Sequence, residues 1–170
     1  MPSITRLVRP HHQLRSTAAL FASVLLSSCA NWSNLWEERP GIRLSELRTA
    51  PGHTVSLLTD QVPKARQLVR GERGTIFVGS NAGEVIALEL AGDRVARRTV
   101  VATGLADGSG VAFHRGALFI SDRSRILRLD GIESQLSQPP RPVLVIDGLP
   151  EDKRHGARFM MIGPDGNLYI

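Results

Sequence analysis

The chain has 170 residues, 42% of them hydrophobic and 22% charged, with 16 glycines and 10 prolines. That is the size and balance of one globular domain rich in turns. The formal charge of +5 does not point to nucleic acid: three of the arginines sit in a leader expected to be removed, and no basic stripe interleaved with aromatics follows. The single cysteine excludes an internal disulfide.

Met1 to Arg15 carries Arg6, Arg9 and Arg15 and no acid. Ser16 to Ser28 is uncharged and rich in Ala, Leu, Val and Phe. Such a run is shorter than the ~20 residues that span a bilayer and suits the core of an export signal. It closes on Leu26-Ser27-Ser28-Cys29, which resembles the lipobox of bacterial lipoproteins. The resemblance implies cleavage after residue 28 and lipidation of Cys29. The alternative is an ordinary secretory signal with an incidental cysteine; the placement of the one cysteine directly after the small-residue pair favours the lipoprotein. Residues 29–50 then read as a tether, in which Trp32, Leu35 and Trp36 could form one amphipathic turn. Ala30 carries no aspartate-type retention signal. The expectation is an exported, periplasmic, lipid-anchored protein, with the outer membrane favoured over the inner.

From Pro51 onward the pattern is short apolar runs punctuated by glycine, with no helical stretch. Expected strands are Val55–Leu58, Gln67–Arg70 (Ala65–Val69 when aligned on the repeat), Thr75–Val78, Glu84–Leu90, Thr99–Thr103, Gly110–Phe113, Arg125–Leu129 and Pro142–Asp147, each of ordinary strand length. Three segments share one form, turn then strand: Gly71-E-R-G-T-I-F-V-Gly79, His114-R-G-A-L-F-I-Ser121 and Gly163-P-D-G-N-L-Y-Ile170. Their aligned glycines, Gly74, Gly116 and Gly166, are 42 and 50 residues apart. A short strand precedes each, the third within Gly156–Ile162, and a Gly-Leu pair closes the first two units at Gly104-Leu105 and Gly148-Leu149. Four strands per repeat of this length is the unit of a β-propeller blade. A β-sandwich also has short strands and turns, but it needs no turn recurring at fixed phase.

The last stretch has the clearest grammar. Phe159–Ile162 is an apolar run of strand length, and Gly163-Pro164-Asp165-Gly166 is a strong turn signal. Asn167–Ile170 begins a return strand. About two and a half blades are encoded, where ring closure takes at least about four, so residues 51–170 read as the N-terminal part of a propeller.

These residues resemble the quinoprotein glucose/sorbosone dehydrogenase family, in particular its sorbosone-dehydrogenase-like branch. The resemblance rests on Val62-P-K-A-R-Gln67, Gly79-S-N-A-G-E-V-I-Ala87, Gly104-L-A-D-G-S-G-V-A-Phe113, Ala117-L-F-I-S-D-R-S-R-I-L-R-L-Asp130 and Asp147-G-L-P-E-D-K-R-H-G-A-R-Phe159. It implies a six-bladed propeller that binds pyrroloquinoline quinone (PQQ), often with calcium, and oxidises a sugar or sugar aldehyde. By position in the motif His155 matches the histidine that takes the substrate hydroxyl proton. An imidazole, with an ordinary pKa near 6.5, suits that task. As a plain residue His155 reads as a surface histidine beside Lys153 and Arg154.

Arg158 is a candidate for the cofactor's carboxylates, with a structural salt bridge as its other reading. Arg66 and Gln67, at the corresponding entry of the first blade, are candidate cofactor-binding residues. His114 is expected to face solvent, His53 has no evident partner, and no histidine pair has metal-ligand spacing. Two departures stand out. Arg154 replaces the aspartate that commonly precedes the family's histidine, and the family's calcium-binding, basic and tyrosine positions belong to later blades, so no metal ligands are assigned. The electron acceptor is unassigned. The second reading is a non-catalytic propeller lipoprotein that binds or scaffolds a partner, or an inactive remnant. A lactonase-type propeller ranks third, because its acidic metal ligands are not apparent.

Overall fold

The computed structural model describes residues 44–151 and 156–170. Cys29, His155 and all but the end of the expected tether lie outside them. Residues 44–46 form one 3-10 turn. Residues from Thr49 onward form a separate unit, which is all-β.

That unit begins with four antiparallel strands in simple succession: β1 (Ala65–Arg70), β2 (Ile76–Ser80), β3 (Glu84–Ala91) and β4 (Arg94–Ala102). The same meander follows with β5 (Val111–His114), β6 (Ala117–Asp122), β7 (Arg125–Leu129) and β8 (Val143–Ile146). A third sheet pairs β9 (Met161–Ile162) with β10 (Leu168–Tyr169). Among the described residues these are two complete blades and part of a third, with no closed sheet. β1 lies against β5, and β5 against β9, so the first strand of each blade is the inner one and β4 and β8 are the outer edges.

Blade stacking follows from the burial of the middle strands on both faces. Successive side chains of a strand point to opposite faces. Phe77, Val85 and Ala87 join Val111, Leu118, Ile120, Leu127 and Leu129 in one core between the first two blades. Their neighbours Val78, Ile86 and Leu88 form a second core on the far face of the first blade, with Val62 packed against it. Ala112, Ile126 and Met160 form a third, between the second blade and the start of the third. Each large aliphatic or aromatic side chain among them contributes about 1.5–3 kcal/mol when fully buried. Phe77 and Phe113 stack across the first joint with centroids 5.7 Å apart.

The recurring turn is real, but it comes in two lengths. In the first blade Gly71 N donates to Thr75 O and Gly74 N to Gly71 O; in the third Gly163 N donates to Asn167 O and Gly166 N to Gly163 O. Gly74 and Gly166 both have positive φ, 90° and 78°, which glycine adopts at no steric cost. In the second blade the turn shortens to Arg115-Gly116, both at positive φ, as a two-residue hairpin requires. At the third turn the Asp165 carboxyl is held below its usual pKa. It accepts from Asn167 N–H, from the Tyr169 hydroxyl and from the Asn167 side chain.

Three expectations change. Val55–Leu58 forms no strand; Val55, Leu57 and Leu58 are exposed. Among the described residues no strand offers that run a ladder. β4 starts five residues earlier than expected, because Gly92, with φ 63°, closes a tight hairpin that sets Glu89 opposite Arg97. Only Met161–Ile162 of the Gly156–Ile162 segment pairs as strand, since just two residues of β10 lie opposite it.

Candidate functional site

The inner strands all begin at one end of the blade stack, and there the structure gathers several residues singled out in the sequence. Gln67, on β1, is half-buried and reaches two other blades at once. Its Oε1 accepts from Val111 N, on β5, and from Met160 N, just before β9, each at 3.1 Å. Its Nε2 donates to Met160 O at 2.6 Å. One amide therefore ties three inner strands together and holds the segment that follows His155.

Arg66 is exposed, and its guanidinium lies over the exposed Phe159 ring, 5.8 Å from the centroid. This is cation–π range. Among the described residues Arg66 has no carboxylate partner. Arg158 points elsewhere: its Nε donates to Arg123 O at 2.8 Å and its Nη2 to Pro150 O. Its partners are main-chain carbonyls, and among the described residues it makes no salt bridge.

A groove of about 290 Å³ runs along the inner strands, lined by Gln67, Leu68, Val111, Phe113, Met160 and Met161 among others. The loop leading into β5 is held by Asp122, which is only 1% exposed. Its Oδ1 accepts from Ala106 N at 2.6 Å and Asp107 N at 3.3 Å, and its other oxygen meets Arg125. At the opposite end of β1, Glu133 fastens the first joint by accepting from Arg73 N and Thr75 N at 3.0–3.3 Å.

The structure thus brings Arg66, Gln67 and the stretch after His155 to one place. Phe159 joins them; the sequence placed it in an apolar run and at the end of the motif that starts at Asp147, with no site role. An aromatic next to Arg158 at a strand entry was the available signal. His114 is half-buried at the end of β5. His53 is exposed, with Nδ1 3.3 Å from Pro51 O. Among the described residues no group of three or more His, Cys, Asp or Glu gathers as for a metal.

The Gln67 clasp is testable. Gln67→Leu leaves two N–H groups and a carbonyl without partners and is expected to cost about 2–3 kcal/mol in a denaturant titration. Gln67→Glu keeps both accepted bonds but sets an oxygen against Met160 O. Its protonated form restores the donor, so its folded pKa is raised. The variant's stability should be greatest below about pH 4.3, the ordinary Glu value, and fall as pH rises through the folded value. A pH-independent deficit would show that the donor to Met160 O contributes nothing.

No protein-family profile and no curated protein matches the chain. Among solved structures it is similar to the PQQ domain of pyranose dehydrogenase from Coprinopsis cinerea, solved in its holo form. The TM-score is 0.61 at 16% identity, over 69% of this chain and 29% of that one. It also aligns with a proposed oxidoreductase (glucose dehydrogenase) from Thermus thermophilus, with TM-score 0.47 and 19% identity over 65% of this chain and 37% of that one. The chain spans less than a third of the length of the first. The described strands therefore form successive blades of a β-propeller, the fold they share with the first of these two domains.

Proposed function

We propose that the chain is a blade set of a PQQ-dependent dehydrogenase oxidising a sugar or sugar aldehyde, exported and lipid-anchored to face the periplasm. The observation that carries this reading is the exposed Arg66–Phe159 pair at the entry of the inner strands, beside the segment that follows His155. A cation with no carboxylate partner among the described residues suits the carboxylates of PQQ, and the exposed Phe159 ring beside it suits a planar cofactor. The shared fold supports the same class. Arg66 would hold the anionic cofactor, and Gln67 would fix the strand entries. A ring nitrogen of His155 would accept the substrate hydroxyl proton. When bound, PQQ supplies an ortho-quinone that accepts hydride. Calcium is part of the proposal only through the family resemblance.

The test is a spectroscopic PQQ titration. Arg66→Glu should weaken binding by about tenfold to a hundredfold, the worth of a charge-assisted contact, with the β-sheet circular dichroism unchanged. If wild-type chain and Arg66→Glu bind alike, or neither binds, this assignment of the site is wrong. A non-catalytic binding module is the second reading, favoured by the engagement of Gln67 and Arg158 with main-chain groups; it predicts no PQQ binding.

The anchor is tested separately. Metabolic labelling with a palmitate analogue should mark the wild type and not Cys29→Ser. More than one acyl chain is expected, since a single chain binds membranes only marginally. Label retained by Cys29→Ser would remove the lipoprotein assignment.

A further inference from the structure

The two outer edges of the complete blades are chemically different. β4 is a protected edge: it carries Arg94, Arg97 and Arg98, and Arg98 reaches across to Gln61 O at 2.8 Å. Charged side chains of this kind keep edge strands from pairing with other chains. β8 has the sequence Val-Leu-Val-Ile with no charge. Val143, Leu144 and Val145 are 45%, 52% and 41% exposed. Leu144 lies opposite Leu127 and Val143 opposite Arg128, and the register with β7 passes over Val145. Apart from that ladder, no main-chain hydrogen bond among the described residues reaches 143–146.

The flanking charges say what fits there. Arg141 precedes β8 and Asp147 follows it, both outside the apolar run. Consider a second copy paired antiparallel about a twofold axis through Leu144. Val143 then faces Val145 of the other copy, and each Arg141 faces an Asp147. Both pairs lie outside the four-residue strand, Arg141 beyond Pro142, and flank the ladder with opposite charges. Parallel pairing would set Arg141 against Arg141 and Asp147 against Asp147. Such a self-complementary patch is what a twofold interface requires.

We propose that β8 is a self-association edge, on which a second copy of this chain adds its own β8 antiparallel to extend the second blade into a continuous sheet. The proposal is independent of the enzymatic reading and of the cofactor.

Directly opposed residues of an antiparallel pair have Cα atoms about 4.5–5.5 Å apart, within the reach of a disulfide. In a Cys29→Ser background, Leu144→Cys should therefore cross-link two copies under mild oxidation, while Ala96→Cys on the exposed β4 edge should not. By sedimentation, wild type should be dimeric and Leu144→Lys monomeric. Arg141→Glu should weaken association by about tenfold, and adding Asp147→Arg should restore it. A monomeric wild type, or Leu144→Lys that associates as wild type does, would overturn the proposal. So would equal cross-linking at residues 96 and 144, or a double charge swap that fails to recover.

Discussion

Replacing Gly110 with alanine is expected to break the joint between the second and third blades. A Cβ at this position would collide with Arg158 O and sit 2.7 Å from Ser121 Oγ. The first of these is main chain, and it belongs to the segment that Gln67 holds through Met160. Gly110 is also fastened on both sides, its N–H to Ser121 Oγ and its carbonyl to Ser121 N, each at 2.9 Å. Ser121 cannot retreat without releasing these bonds, and Arg158 O lies two residues before Met160, which Gln67 holds. The cost should be about 3 kcal/mol or more, the upper range for overpacking. Gly116→Ala is the control: its φ is 76° but nothing lies within 4 Å of a Cβ there. That substitution should cost only about 1 kcal/mol, from the left-handed backbone alone. Denaturant titrations of the two variants compare steric with torsional cost. Equal losses would show that Arg158 O is not fixed where it stands.

On the proposed reading, the second large effect is chemical. In a PQQ-loaded enzyme containing these blades, His155→Ala or His155→Gln should lower turnover by about 10²–10⁴-fold, the usual worth of a general base. Cofactor affinity should stay nearly unchanged, because the base acts on the substrate hydroxyl. A general base also leaves its own pKa in the pH profile of kcat/KM, and the variants should lose that limb. If His155→Gln lost PQQ while any loaded fraction turned over normally, His155 would be a cofactor contact. The 170-residue chain alone is expected to show no turnover, since substrate and quinone must be held in near-attack geometry and the chain spans only 29% of the structurally similar PQQ domain.

Much of the architecture was legible because it is local. Period-two burial, glycines at positive φ and turn dipeptides act within a few residues, so the repeat around Gly74, Gly116 and Gly166 could be read from the order of residues alone. The same local rules explain the failure at Val55–Leu58, an apolar run of strand length without a ladder. A strand exists only where another chain segment supplies hydrogen-bond partners, and composition does not report that supply.

The all-β character, the blade-sized repeat and the entry positions of the inner strands were thus written in the order of residues, because they follow from side-chain alternation and turn stereochemistry. What the entry residues do was set by packing. Gln67 was a cofactor candidate by position, yet its amide joins groups 44 and 93 residues away. Arg158 is turned onto Arg123 O, 35 residues back, while Arg66 is left over the Phe159 ring. Gly110 looks like one more turn glycine in Asp107-Gly-Ser-Gly, but its φ is not positive; the space it leaves is filled by a carbonyl of the next blade. Each of these roles depends on which main-chain groups stacking brings within hydrogen-bond or contact distance, and stacking sums contacts along the whole chain.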